Sequence, residues 1–65
     1  MSIPLEDQAK ECEREVAMRR RVYARRVQDG KMTQSAADLG IARMEAAAAT
    51  LRQMAEAEKA KGRLL

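Results

Sequence analysis

Asp29-Gly30-Lys31-Met32-Thr33 separates two long segments, each rich in alanine and arginine and each carrying apolar residues at helical spacing. Gly30 stands where a helix ends in the left-handed conformation, which a residue without a Cβ adopts at little steric cost, and Met32 is placed to fold back on the last turn. Thr33 offers a side-chain oxygen to cap the next helix. So short a connection makes the two helices antiparallel neighbours. The stretch predicts an all-α fold: an antiparallel two-helix hairpin of coiled-coil type, a single domain over residues 1–65, with helix 1 about 4–29, the turn 30–33 and helix 2 about 34–61.

Working back towards the N-terminus, Leu5, Ala9, Cys12, Val16, Arg19, Tyr23 and Arg26 follow alternating spacings of four and three, a heptad seam in which Val27 takes the place of Arg26 on a straight helix. Ser2 is a candidate cap, and Pro4 suits a first turn because its missing N–H would have no partner there. The segment is electrically polarised. Glu6, Asp7, Glu11, Glu13 and Glu15 crowd its first half, and Arg19, Arg20, Arg21, Arg25, Arg26 and Lys31 its second. That order complements the helix dipole.

Beyond the turn the seam continues as Ala37, Ile41, Met44, Ala48, Leu51, Ala55 and Glu58, and Gly62 is a plausible stop, leaving Arg63, Leu64 and Leu65 as a tail. Folding about the turn pairs positions whose numbers sum to roughly 64: Val27 with Ala37, Tyr23 with Ile41, Arg20 with Met44, Val16 with Ala48, Cys12 with Leu51 or Arg52, and Ala9 with Ala55. Gly40 costs a helix interior about 1 kcal/mol relative to alanine. The register sets it beside Tyr23, where it is expected to make room for the ring.

Charged residues are 35% of the chain, one tyrosine is the whole aromatic content, and net charge is +3. Sixty-five residues lie below the size at which one core comfortably outweighs chain entropy. Met18 and Val22 on the first helix, and Ala47, Leu51 and Met54 on the second, exceed what two helices can cover. Two hairpins are therefore expected to dimerise into a four-helix bundle. The single Cys12 excludes an internal disulfide, and the absence of histidine excludes the usual zinc patterns. With no apolar run of membrane length, a cytoplasmic protein without membrane contact is expected.

The arginine cluster is the strongest chemical feature. Arg14, Arg21 and Arg25 share one exposed stripe, Arg19 and Arg26 flank the seam on one side, and Arg20 lies on the other. Glu11 is spaced to pair with Arg14, and Glu15 with Arg19. A solvated, partly ion-paired helix end is the leading reading, ahead of nucleic-acid binding through Arg21, Arg25 and Lys31 and of an acidic protein partner. Cys12 reads as a small seam residue and Tyr23 as a packing residue. Without histidine, a phosphate loop or converging carboxylates, no catalytic residue, metal ligand, cofactor or small-molecule substrate is expected. Met18, Val22, Leu39 and Met54 are the candidate contacts for a protein partner. Leu39 is among them because its angle takes it away from the seam.

Glu13-Arg14-Glu15-Val16-Ala17-Met18-Arg19-Arg20-Arg21-Val22-Tyr23, then Val27, Gly30-Lys31-Met32-Thr33, Ala37 through Ile41, Met44 and Glu45, resembles a group of short helical-hairpin proteins encoded by bacteriophages and prophages. The likeness covers about residues 11–52. Its members often carry proline after the tyrosine, whereas Ala24 here lets the first helix continue. The resemblance brings no functional residue; it implies a host bacterial cell and a role in binding host or phage macromolecules. In architecture alone the expected hairpin dimer is also similar to the Rop-type plasmid proteins that bind RNA. The sequence thus favours a non-enzymatic accessory interaction module that binds a host or phage protein through a helical face. Nucleic-acid binding across a dimer, using the Arg19–Lys31 basic region, and a structural subunit of a phage particle are the alternatives.

Overall fold

The computed structural model describes residues 1–63. It is an all-α hairpin of two helices, α1 (Leu5–Gln28) and α2 (Gln34–Arg63), packed against each other. At 1.5 Å per residue they are about 36 and about 45 Å long, and the molecule is a rod of 54 × 21 × 16 Å.

The turn closes with two bonds. The Lys31 N–H donates to the Arg26 carbonyl at 2.9 Å and the Gly30 N–H to the Val27 carbonyl at 3.0 Å. Together they form a Schellman motif, satisfying carbonyls that the end of α1 would otherwise leave without partners. The motif requires a left-handed residue, and Gly30 supplies it at φ +71°. Thr33 Oγ1 then accepts from the Ala36 N–H at 3.1 Å, capping α2.

Two ends differ from the sequence reading. Ser2 caps nothing in α1, which starts at Leu5 behind Pro4 at φ −58° and ψ 148°. A residue before proline is held out of the helical region, so Ile3 cannot begin the helix. No side chain caps this end; Gln8 instead ties down the entering chain, its backbone N–H donating the first helical bond to the Pro4 carbonyl at 3.1 Å and its side-chain amide donating to the Ile3 carbonyl at 2.8 Å. At the far end, Gly62 does not stop α2, which continues to Arg63. Among the described residues only Gly30 has a positive φ. A single right-handed glycine weakens a helix without ending it. Leu64 and Leu65, read as part of a tail, lie outside the described residues.

The seam is thin. The buried apolar residues are Ala9, Ala37, Ala48 and Ala55, and no larger apolar side chain is buried among the described residues. Leu5, Cys12, Val16, Tyr23, Val27, Ile41, Met44 and Leu51 are half-buried. Small residues bring the helices close, but each larger neighbour keeps one side in water because only two helices are present to enclose it.

At Gly40 the second helix comes close to the Tyr23 ring. A methyl group on this glycine would lie 3.0 Å from Cε2 of Tyr23, so the expected room for the ring is there. Arg19 links the two. Its Nη1 donates to the Gly40 carbonyl at 2.8 Å, and its guanidinium carbon stands 5.8 Å from the centre of the Tyr23 ring.

Candidate protein-interaction site

The two flanks of the seam have opposite chemistry. On one, Glu6, Glu13 and Arg20 recur seven residues apart along α1 and face Lys59, Arg52 and Glu45, also seven apart along α2. Each facing pair has residue numbers that sum to 65. This is the charge ladder expected beside the seam of an antiparallel coiled coil.

Arg52 is its hub. Its Nε and Nη2 grip both oxygens of Glu13 at 3.0 and 2.8 Å, while Nη1 reaches Glu6 at 2.7 Å and Glu56 at 3.5 Å. Lys59 approaches the other Glu6 oxygen at 2.5 Å, and Arg20 bonds Glu45 at 2.7 Å. The Lys59 and Arg52 hydrogen bonds hold the Glu6 carboxyl at about 2, well below its ordinary 4.5. Arg52 similarly lowers Glu13. In return, Arg52 is raised by its bonds to Glu13 and Glu6, and Lys59 by its bond to Glu6. Every group of the ladder keeps some contact with solvent, so it fixes register and orientation more than it adds stability.

The opposite flank lacks such a ladder. The corresponding positions, again seven apart, are Gln8, Glu15 and Val22 on α1 and Gly40, Ala47 and Met54 on α2. Cys12 and Leu51 meet here and line an open hollow of about 530 Å³ with Ile3, Asp7, Gln8 and Glu11. A second hollow of about 300 Å³ lies between Leu5 and Met54, near Glu58. Met18 is 38% exposed, Val22 42% and Met54 49%.

Three of the four candidate contacts therefore share a flank. Leu39, 50% exposed, does not. At about 100° per residue it points almost directly away from Ala37 and Ala48, on the outside of α2.

Arg21 and Arg25 lie one turn apart on α1, with Lys31 in the connection beyond it. Arg21, Arg25 and Lys31 are all exposed, and Arg25 also pairs with Asp29 at 3.5 Å. Arg14 is tied to Glu11, whose hydrogen bond raises its pKa, and Arg19 to Glu15 at 3.0 Å. Arg21, Arg26, Lys31 and Arg43 make no ion pair among the described residues. No group of three or more metal-ligating side chains comes together among the described residues. No described helix is long and apolar enough to cross a membrane.

No family model, curated protein or solved structure matches the chain. Arg52 and its partners were missed in the sequence, although a signal was present: opposite charges at a constant sum of residue numbers, repeating every seven residues.

Proposed function

We propose that this hairpin is a non-enzymatic interaction module of phage or prophage origin that binds a host or phage protein through a helical face. One observation carries the reading: Met18, Val22 and Met54 stand half-exposed together on the flank free of the charge ladder, and apolar side chains gathered on one face mark an interaction surface more than singly scattered ones do. Leu39 adds a separate apolar point on the outside of α2. The phage setting, with action in the cytoplasm of the host cell, rests on the resemblance over residues 11–52.

The test is retention of a bacterial protein from host lysate by the tagged hairpin, with mass-spectrometric identification and Leu39→Glu and Met18→Glu as controls. The reading requires one specific protein, lost with at least one variant. A retained set that neither variant changes overturns it.

A second reading is favoured by exposed cations without ion-pair partners among the described residues, Arg21 and Lys31 above all. Nucleic-acid binding by these residues and Arg25 predicts a mobility shift with short DNA or RNA at low salt that fades steeply as salt rises. No shift at low salt excludes it.

A further inference from the structure

We infer that the flank carrying Met18, Val22 and Met54 is covered by a second copy of this chain, laid antiparallel, so that the turn of one hairpin lies beside the open end of the other. The inference rests on the reading of this flank as a protein-binding face, and it leaves Leu39 on the outside of α2 for the heterologous partner.

Area supports a cover of this size. The chain exposes 5109 Å², whereas a compact monomer of 7.3 kDa would expose about 4,200 Å². The excess is close to the roughly 800 Å² that each partner contributes to a standard stable interface. A core whose buried apolar residues, among those described, are four alanines makes the same point from inside.

Charge chooses the copy and its direction. Glu11, Met18 and Arg25 lie seven residues apart on α1 and form one stripe at the rim of this flank. The stripe is self-complementary about its centre. When two α1 helices cross with the two-fold axis at Met18, Glu11 of each faces Arg25 of the other, and the two Met18 side chains meet on the axis. In the parallel arrangement α1 lies over α2 of the partner, setting Glu11 and Glu15 against the levels of Thr50, Ala47 and Met54, where no cation answers them.

Glu11 and Arg25 are held only in exposed local pairs, with Arg14 and Asp29. The α2 side of the flank offers Ala36, Gly40, Ala47 and Ala57 between Arg43, Thr50 and Met54, small residues that permit close approach. The charge ladder would remain in water on the far side.

Sedimentation of the full chain tests the assembly. A species of twice the chain mass is expected, reduced to a single chain by Met18→Glu with helicity retained. Charge reversal tests direction: Glu11→Arg or Arg25→Glu should each raise the dimer Kd about tenfold or more, and the double variant should restore it. Cross-linking gives an independent reading. With Cys12→Ser, Met18→Cys should form a disulfide between chains, whereas native Cys12, which lies about 9 Å along the helix from the axis, should not.

A monomer at millimolar concentration overturns the inference. So does a dimer in which Met18→Cys fails to cross-link or the charge-swapped double variant is no tighter than the singles. If the chain is monomeric but Met18→Glu abolishes capture of a lysate protein, the flank binds a different protein; the dimer falls and the interaction reading stands.

Discussion

Cε2 of Tyr23 stands 3.0 Å from where a Cβ on Gly40 would be. That distance is shorter than ordinary carbon contact, so a side chain at residue 40 forces the ring to move. The Arg19 guanidinium carbon stands 5.8 Å from the ring centre, and the same guanidinium bonds the Gly40 carbonyl.

Gly40→Ala therefore sets a helix-propensity gain of about 1 kcal/mol against an overpacking cost of about 1–3 kcal/mol. The expected net result is a loss of about 1 kcal/mol. In a Tyr23→Leu background the clash is removed and the same change should stabilise by up to about 1 kcal/mol. Urea denaturation of the four variants gives the coupling. No change of sign would show that the ring does not set the cost.

The other two glycines have open space where a Cβ would go, so their effects come from backbone alone. Gly30→Ala, at φ +71°, should cost about 1–2 kcal/mol. Gly62→Ala, inside the last turns of α2, should raise stability by up to about 1 kcal/mol. Thr33→Ala should cost about 1 kcal/mol and Thr33→Ser little. Thermal melts followed by circular dichroism would distinguish these directions.

Glu6 gives the hairpin a defined acid limb. Its carboxyl is lower in the folded chain, at about 2, than its ordinary 4.5. Its contribution is therefore complete above about pH 4.5 and disappears as pH falls through about 2. Glu13 is shifted in the same direction. At pH 7, Glu6→Gln should melt below the wild type, and the gap should close between pH 4.5 and 2. A gap independent of pH would disprove the pairing.

Arg52 makes a forked grip on Glu13 while reaching Glu6, a geometry that lysine cannot reproduce. Arg52→Met should let the Glu6 and Glu13 carboxyls rise towards ordinary values, as measured by NMR titration. Arg52→Lys should restore Glu6 or Glu13 in part but not both. Unchanged titration of both carboxyls in the methionine variant would remove Arg52 from the hub.

The sequence by itself determined what one or two helical turns decide. The Gly30 stop, the Thr33 cap and the two seams follow from local backbone chemistry and spacing. Because an antiparallel pair has nearly one free parameter, the sum of facing residue numbers, the closeness of Tyr23 and Gly40 was legible too. So were the Glu11–Arg14 and Glu15–Arg19 pairs, which lie within single turns.

Tertiary structure decided what depends on the side to which a long side chain leans. The register left Cys12 opposite Leu51 or Arg52, neighbours on the chain that project to different flanks. In the folded hairpin Leu51 lines the hollow with Cys12, while Arg52 crosses to Glu6 and Glu13. That separation, about 100° between consecutive helical residues, gives the rod one charged flank and one apolar flank. Gly62 shows the same limit at the chain's end. Glycine permits a stop, but at Gly30 the stop is made by hydrogen bonds from Gly30 and Lys31 back to Val27 and Arg26, and composition alone does not reveal where such bonds will form.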